Sequence, residues 1–374
     1  MRTPRFVLAC AALAGAALLA AGCAKPRAAQ PDAATYAYVS NADSQEIRIY
    51  RLDTAQGRLQ PLGTTAVGGM VMPLAVSPDQ TRLYAAVRTQ PYRVLSFAID
   101  ARDGSLHELG SAPLPGTMPY LSTDPSGRWL FAASYGDNLL SLSPIDAQGV
   151  AGAPRQVIPT GPMAHAIRVG PNGRTVFASI LGADLWMRLD FDAAQGRLHL
   201  DSQPAYALPK GSGPRHFVFS RDGRYAYLID ELDGKLHALR LDADGRGAQP
   251  IQTVATLPPA QAGIKPWGAD LHLSPDGRFL YASERNANLL SGYRVSPEDG
   301  RLTPIGAWPT ETQPRGFAID PSGQFLLASG QTSTQLSLYA IDQRDGALRR
   351  LARYPAGRNP NWIEFVRFGS AAAQ

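Results

Sequence analysis

Cysteine is nearly absent: the chain carries two in 374 residues, Cys10 and Cys23, both close to its start. That excludes a disulfide-stapled scaffold and any Cys-rich zinc or iron–sulfur module. No run of basic residues occurs and the net charge of +5 is modest, so the electrostatic footprint of a nucleic-acid binder is missing. No two of the six histidines stand at metal-ligand spacing, and Glu231, Asp270 and Glu284 are scattered along the chain. There is no glycine-rich phosphate loop opening a helix, no serine in a nucleophile elbow, and no window with a sustained helical period. Neither a metal nor a cofactor is expected. What abounds instead is turn chemistry: Gly 36 and Pro 31 make up about 18% of the chain against a usual 12% or so. With 44% hydrophobic residues there is ample material for a core between the turns.

The one long apolar run is N-terminal. Arg2 and Arg5 precede Phe6 to Leu19, a stretch too short to span a bilayer comfortably, as in a signal peptide. It ends in Leu19-Ala20-Ala21-Gly22-Cys23, small residues leading into a cysteine, which resembles the bacterial lipobox; Ala20 departs from its usual Leu. Residues 1–22 therefore read as a lipoprotein signal peptide, Cys23 as the lipidated first residue, and residues 23–34 as an Ala/Pro tether with nothing to bury. The alternative is an ordinary cleaved signal with an incidental cysteine. Ala24 is not Asp, so sorting by analogy with enteric bacteria leads to the outer membrane. The expectation is a monomeric periplasmic lipoprotein that meets the membrane only through its anchor.

From Tyr36 onward the sequence repeats. A turn followed by an apolar strand recurs as SPDQTRLYAAV, DPSGRWLFAAS, GPNGRTVFASI, SRDGRYAYLID, SPDGRFLYASE and DPSGQFLLASG, at spacings of 47, 46, 50, 54 and 46 residues. A turnless seventh copy, TYAYVSN, opens the domain. Each repeat also holds a strand ahead of its turn and a strand ending in an acidic-Gly hairpin. Short strands with all-apolar runs, separated by Gly, Pro, Asp and Asn, describe one four-stranded blade per repeat. The expected fold is all-β, a single seven-bladed β-propeller over residues 35–369 with a tail at 370–374. The register is permuted: the chain begins on a middle strand and ends on an innermost one, Asn361 to Phe368, so the two must share a blade.

That topology fixes where chemistry can sit. The start of every innermost strand and every loop after a second strand lie on one face of the disc. Counting back from the turns places Met72, Pro119, His165, Arg215, Ala269 and Arg315 at the channel mouth. The loops above it carry Arg88, Arg93, Asp137, Glu231, Glu284, Arg285 and Gln331. The turn arginines of the opposite face recur in nearly every copy, as a structural role requires. Residues that break the repeat are the better functional candidates: His165, Arg215, Glu231, Arg285 and Arg315 converge on one rim. Arg215 and Glu231 could also be a plain ion pair, worth about 1 kcal/mol at a solvated rim. His165 could be a packed channel residue. His216 and His272 point away from this set by strand alternation and read as packing or support.

The blade segments GSGPRHFVFSRDGRYAYLIDELDGKL, ADLHLSPDGRFLYASERNANLLSGYRV and TETQPRGFAIDPSGQFLLASGQTSTQLSLYAID carry a resemblance. They are similar to the bacterial propeller-type 6-phosphogluconolactonase family, which includes fungal carboxymuconate-type lactone cyclases. The similarity runs from about Tyr36 to Phe368. It implies metal-independent lactone chemistry without a cofactor, on a small sugar lactone, with His165, Arg215, Glu231 and Arg285 catalytic. The match keeps the 16-residue spacing from Arg215 to Glu231. Arg315, with Arg88, Arg93, Gln331 and Tyr120, would bind substrate, the arginines holding a phosphate or other remote anion. Tyr120 stands where the bacterial enzymes tend to have His, and AIRVG after His165 also departs from the family pattern. A non-catalytic envelope scaffold and a lactone-forming cycloisomerase are the other readings. Either Glu231 or His165 would serve as general base.

Overall fold

The computed structural model describes Met1 and residues 34–369. The expected signal peptide, Cys23, nearly all of the tether and the tail lie outside the described residues. Among those described there is no α-helix, only strands and two short 3₁₀ turns, Leu181–Ala183 and Pro259–Gln261.

The strands form seven sheets arranged as a seven-bladed β-propeller. From the channel outward, blade 4 consists of Pro214–Phe219, Tyr225–Asp230, Lys235–Leu241 and Ala248–Ala255. Blade 5 consists of Gly268–Leu273, Phe279–Glu284, Leu289–Val295 and Leu302–Pro309. The inner strands of blades 1, 2, 3 and 6 are Val71–Val76, Tyr120–Thr123, Ala164–Val169 and Phe317–Ile319. Blade 7 closes the ring: the last strand, Pro360–Phe368, pairs antiparallel with the first, Ala34–Asn41, from Ala34 opposite Phe368 to Asn41 opposite Pro360. Blade 3 carries one extra short strand, Tyr206–Ala207, against its third.

The repeat motifs act between blades as well as within them. Second strands such as Phe279–Glu284 are buried at every position, because both faces of a blade are covered by neighbours. Their tyrosines reach sideways: Tyr38, Tyr84, Tyr227 and Tyr281 donate to the carbonyls of Gly104, Gly149, Gly300 and Gly346, at 2.8, 3.1, 3.0 and 2.7 Å. Each of those glycines ends an acidic-Gly hairpin of the next blade, so two recurring motifs form one inter-blade tie. Turn arginines do the same on the opposite face. Arg224 pairs with Asp222 and donates to Pro297 O at 3.0 Å, and Arg278 pairs with Asp276 and donates to Gln343 O at 2.7 Å. The turns are tight enough to need a left-handed residue, supplied by Gly223 (φ 71°) and Gly277 (φ 75°).

Candidate active site

The inner strands are irregular where they enter the channel mouth. Register shifts fall between Ala164 and Ala166, between Pro214 and His216, and between Gly268 and Leu271. His165, Arg215 and the pair Ala269–Asp270 therefore sit on β-bulges, which re-aim side chains and free backbone groups from the ladder. Serines on the second strands satisfy the freed groups. Ser179 Oγ accepts from Ala166 N–H at 3.1 Å and donates to Arg215 O at 2.6 Å, and Ser283 Oγ accepts from Asp270 N–H at 3.0 Å.

A second set of side chains comes from one recurring place, the residue just after the second strand. Its N–H bonds back to the segment leading into the inner strand: Arg88 to Met70 O at 2.7 Å, Glu231 to Gly213 O at 2.7 Å, Arg285 to Trp267 O at 3.0 Å. The same position in blade 2 is Tyr135, which follows Trp129–Ser134. The backbone repeats while the side chain changes, as expected of a scaffold that presents different chemistry from each blade.

Glu231 is the hub. Arg215 Nε and Arg285 Nη2 each lie 3.0 Å from its Oε2, and Trp267 Nε1 donates to its Oε1 at 3.3 Å. The pairs are not solvated, contrary to the expectation of an exposed rim: the side chains of Arg215 and Arg285 are 1% and 3% exposed, that of Glu231 13%. Arg285 is stacked over the Trp267 ring at 3.9 Å and donates to Trp267 O at 3.3 Å and Gly268 O at 2.8 Å. Arg215 also donates to Ala269 O and lies 3.2 Å from His216 Nε2. Burial alone would raise the Glu231 carboxyl, but the two guanidiniums and the indole N–H overcome it and hold the group below the usual carboxylate range. Burial, then the neighbouring Arg215, pull Arg285 down to about 10 despite Glu231.

His216 belongs to this network, although strand alternation points it elsewhere; the bulge at Arg215 brings both inward. Asp270 Oδ1 lies 2.7 Å from His216 Nδ1 and also accepts from Leu271 N–H at 3.0 Å. An ionised carboxylate can only accept, so Nδ1 carries the proton. Arginine can only donate, so Nε2 presents its lone pair to Arg215. His216 is accordingly neutral, pushed down to about 3 by burial and by Arg215. His165 packs beside it, ring centroids 5.1 Å apart, with Tyr135 at 6.0 Å on another side. His165 is 3% exposed and its Nδ1 is buried without a hydrogen-bond partner. Burial, Arg215, His216, Arg315 and Arg285 together hold it well below the ordinary histidine value.

The mouth thus brings together His165, Arg215, Glu231 and Arg285. Arg315 stands among them electrostatically: after burial, Arg215 and Arg285 are the main causes of its lowered value, and Arg88 contributes too. Arg88 borders the group, with a guanidinium nitrogen against Met72 Sδ and Nε buried without a partner. Other expected ligands are placed differently. Arg93 is committed to the loop below it, donating to Val67 O at 3.0 Å and Gly68 O at 3.1 Å. Gln331 sits on the adjoining loop through its backbone bond to Gln313 O, with no side-chain hydrogen bond to the cluster among the described residues. Tyr120 lies deeper, its ring edge-on to His216 at 5.0 Å and to Trp362 at 5.4 Å, lining a cavity that opens toward the turn-bearing face. Sequence reasoning missed Trp267, Tyr135 and Asp270. Trp267 had a signal, an aromatic breaking the repeat just before an inner strand. No group of three His, Cys, Asp or Glu converges as for a metal ion among the described residues.

With this geometry in hand, comparison with known proteins is informative. The family described as "Lactonase, 7-bladed beta-propeller" matches residues 33–365. The chain belongs to that family. It is 41% identical over 193 residues to the 6-phosphogluconolactonase of Pectobacterium atrosepticum and 40% identical over 193 residues to that of Serratia proteamaculans. Each match covers 52% of this chain and 58% of the relative, so the aligned part spans little more than half the length of these curated proteins. Among solved structures, a periplasmic gluconolactonase of Pseudomonas aeruginosa superposes with a TM-score of 0.81 at 31% identity, covering 89% of this chain and 99% of the other. A Lactobacillus plantarum protein gives a TM-score of 0.80 at 27% identity over 89% and 99%.

Proposed function

We propose that this lactonase-family chain hydrolyses a sugar lactone to its aldonic acid at the channel mouth. The observation that carries the reading is the clustering of cations at the mouth: Arg215 and Arg285 share the Glu231 carboxylate, and Arg315 and Arg88 stand beside them without an ion pair among the described residues. Guanidiniums gathered in this way suit an anion that forms during reaction or arrives with the substrate.

Hydrolysis requires a water proton to be removed and the tetrahedral oxyanion to be held. Glu231, already shared by two guanidiniums and an indole, is a poor proton acceptor; its work is to fix Arg215 and Arg285. His165 is neutral and its Nδ1 lone pair or N–H is free of protein partners, so it is the base we assign. Arg215 and Arg285, immobilised by backbone carbonyls and Glu231, are preorganised donors for the oxyanion, each worth about 3–4 kcal/mol in the transition state. Arg315 and Arg88 hold a carboxylate, hydroxyl or phosphate remote from the ester. The similarity to a periplasmic gluconolactonase and the lipobox-like Cys23 support a periplasmic, lipid-anchored enzyme acting on aldonolactones. Hydrolysis of glucono-δ-lactone and its 6-phosphate by the purified protein, followed by acid release, tests the reading. Arg315→Ala should raise KM with kcat nearly kept; absence of hydrolysis of either lactone above the spontaneous rate would favour the scaffold.

A further inference from the structure

The opposite end of the channel holds a second constellation, of which the mouth uses only His216 and Asp270. A cavity of about 420 Å³ opens there between the turns of blades 1 and 2, within the range of small-molecule sites, roughly 300–1,000 Å³. Its wall includes Arg168, His272, Glu364, Asp270, Tyr120 and Trp362. It shares His216 and Asp270 with the support of Arg215, but none of His165, Glu231, Arg285 or Arg315 lines it, so a ligand held here lies away from the mouth.

Arg168 is half-buried near the end of the inner strand of blade 3. Arg168 reaches the Tyr120 side chain, while Asp270 lies 2.7 Å from His216 Nδ1 and 3.1 Å from His272 Nε2, and Glu364 accepts from Trp362 Nε1 at 2.8 Å through one of its oxygens. Among the described residues this leaves the Arg168 guanidinium without an ion-pair partner. We propose that this cavity is a binding site for a small hydroxylated carboxylate, with Arg168 and His272 receiving the carboxylate and Glu364, Tyr120 and the Trp362 ring receiving the hydroxylated chain.

The charges select this class. Burial pushes Glu364 up to about 7, against the opposing pull of Trp362 and of the His272 and Arg168 charges. Asp270 is held low by its two histidines against burial, and burial raises Tyr120 out of the titrating range. His272 is raised by Asp270 against burial. With burial favouring the protonated form of Glu364, Arg168 and His272 face the cavity with only the Asp270 carboxylate set against them, which suits a monoanion better than a phosphate dianion. A protonated Glu364 can also donate to a hydroxyl, as an ionised one cannot.

The test uses gluconate as the probe and calorimetric binding, without turnover, in an Arg315→Ala background that weakens anion binding at the mouth. Gluconate should still bind there, adding Arg168→Ala should weaken that binding at least tenfold, and inorganic phosphate should not displace it. Affinity should fall about tenfold from pH 6 to pH 8 as Glu364 ionises, and Glu364→Gln, which keeps a donor, should shrink that fall. Thermal unfolding checks that each variant is folded. No gluconate binding in the Arg315→Ala background, an Arg168→Ala isotherm unchanged from it, or displacement by phosphate would each overturn the proposal. Because nothing here requires lactone hydrolysis, failure of the mouth as an active site would leave this result intact.

Discussion

Glu231→Gln offers the sharpest test of how the mouth is built, because the structure and a solvated-rim picture give different numbers. The substitution keeps shape and one acceptor but removes the only negative charge between Arg215 and Arg285, whose side chains are 1% and 3% exposed. An exposed pair broken this way costs about 0–1 kcal/mol. Removing one partner of a buried pair costs about 3–5 kcal/mol, since the other charge is left uncompensated. The glutamine oxygen can still accept from one guanidinium, so about 3 kcal/mol is expected, lowering Tm by roughly 4 °C for a domain of this size. Turnover should fall by about 10² or more, because both oxyanion donors lose their anchor. Circular dichroism melts and lactone hydrolysis measure the two effects on one preparation. A Tm within about 2 °C of wild type together with unchanged turnover would refute the argument that Glu231 holds two buried guanidiniums in place.

Three further outcomes follow from the same picture. With His165 as the proposed base, its neutral form is the active one and its value is held well below 6.5, so activity should be present above that depressed value and lost only as pH falls through it. The kcat profile should therefore be flat through pH 6–7, and a rising limb centred near 6.5 would remove His165 as base. Deleting residues 361–374 removes the strand that pairs with Ala34–Asn41 and leaves blade 7 with an open edge; the product should aggregate or fail to melt cooperatively, whereas a melt within a degree or two of the full chain would contradict the ring closure. Cys23→Ser should shift the protein from the membrane fraction to the soluble periplasm or block its processing, and unchanged fractionation would end the lipoprotein reading.

The propeller was legible because its signal is repeated. Seven weak strand patterns at near-constant spacing reinforce one another, and the permuted ends follow from counting strands. The mouth set was legible by the converse rule, since His165, Arg215, Glu231 and Arg285 break a repeat whose backbone does not change. What could not be read were departures from ideal strand geometry. Alternation sends His216 away from Arg215, yet the bulge between Pro214 and His216 turns both toward the channel. The same irregularity at Gly268–Leu271 brings Asp270 under His216. Burial was also hidden: Arg215 looks like a rim charge in sequence, but its side chain is only 1% exposed. Arg93 shows the reverse error, a loop cation whose donors are consumed by the Val67 and Gly68 carbonyls.

The arginines of the mouth divide into two kinds, and the division follows from what already occupies their donors. Cations packed together repel, so each must be held by something that outweighs the repulsion. Arg285 has Glu231, two backbone carbonyls and the face of Trp267; Arg215 has Glu231, the Ala269 carbonyl and the lone pair of a histidine fixed by Asp270. These two need no ligand to stay in place, which is what preorganised oxyanion donors require. Arg315 has no such set among the described residues, and its lowered value arises from burial and from the other arginines. Its positive charge is best relieved by an anion, so it gains from substrate and from transition state alike. Uniform binding of that sort lowers KM without raising kcat, and the geometry therefore separates holding the substrate from stabilising its reaction within one small ring of guanidiniums.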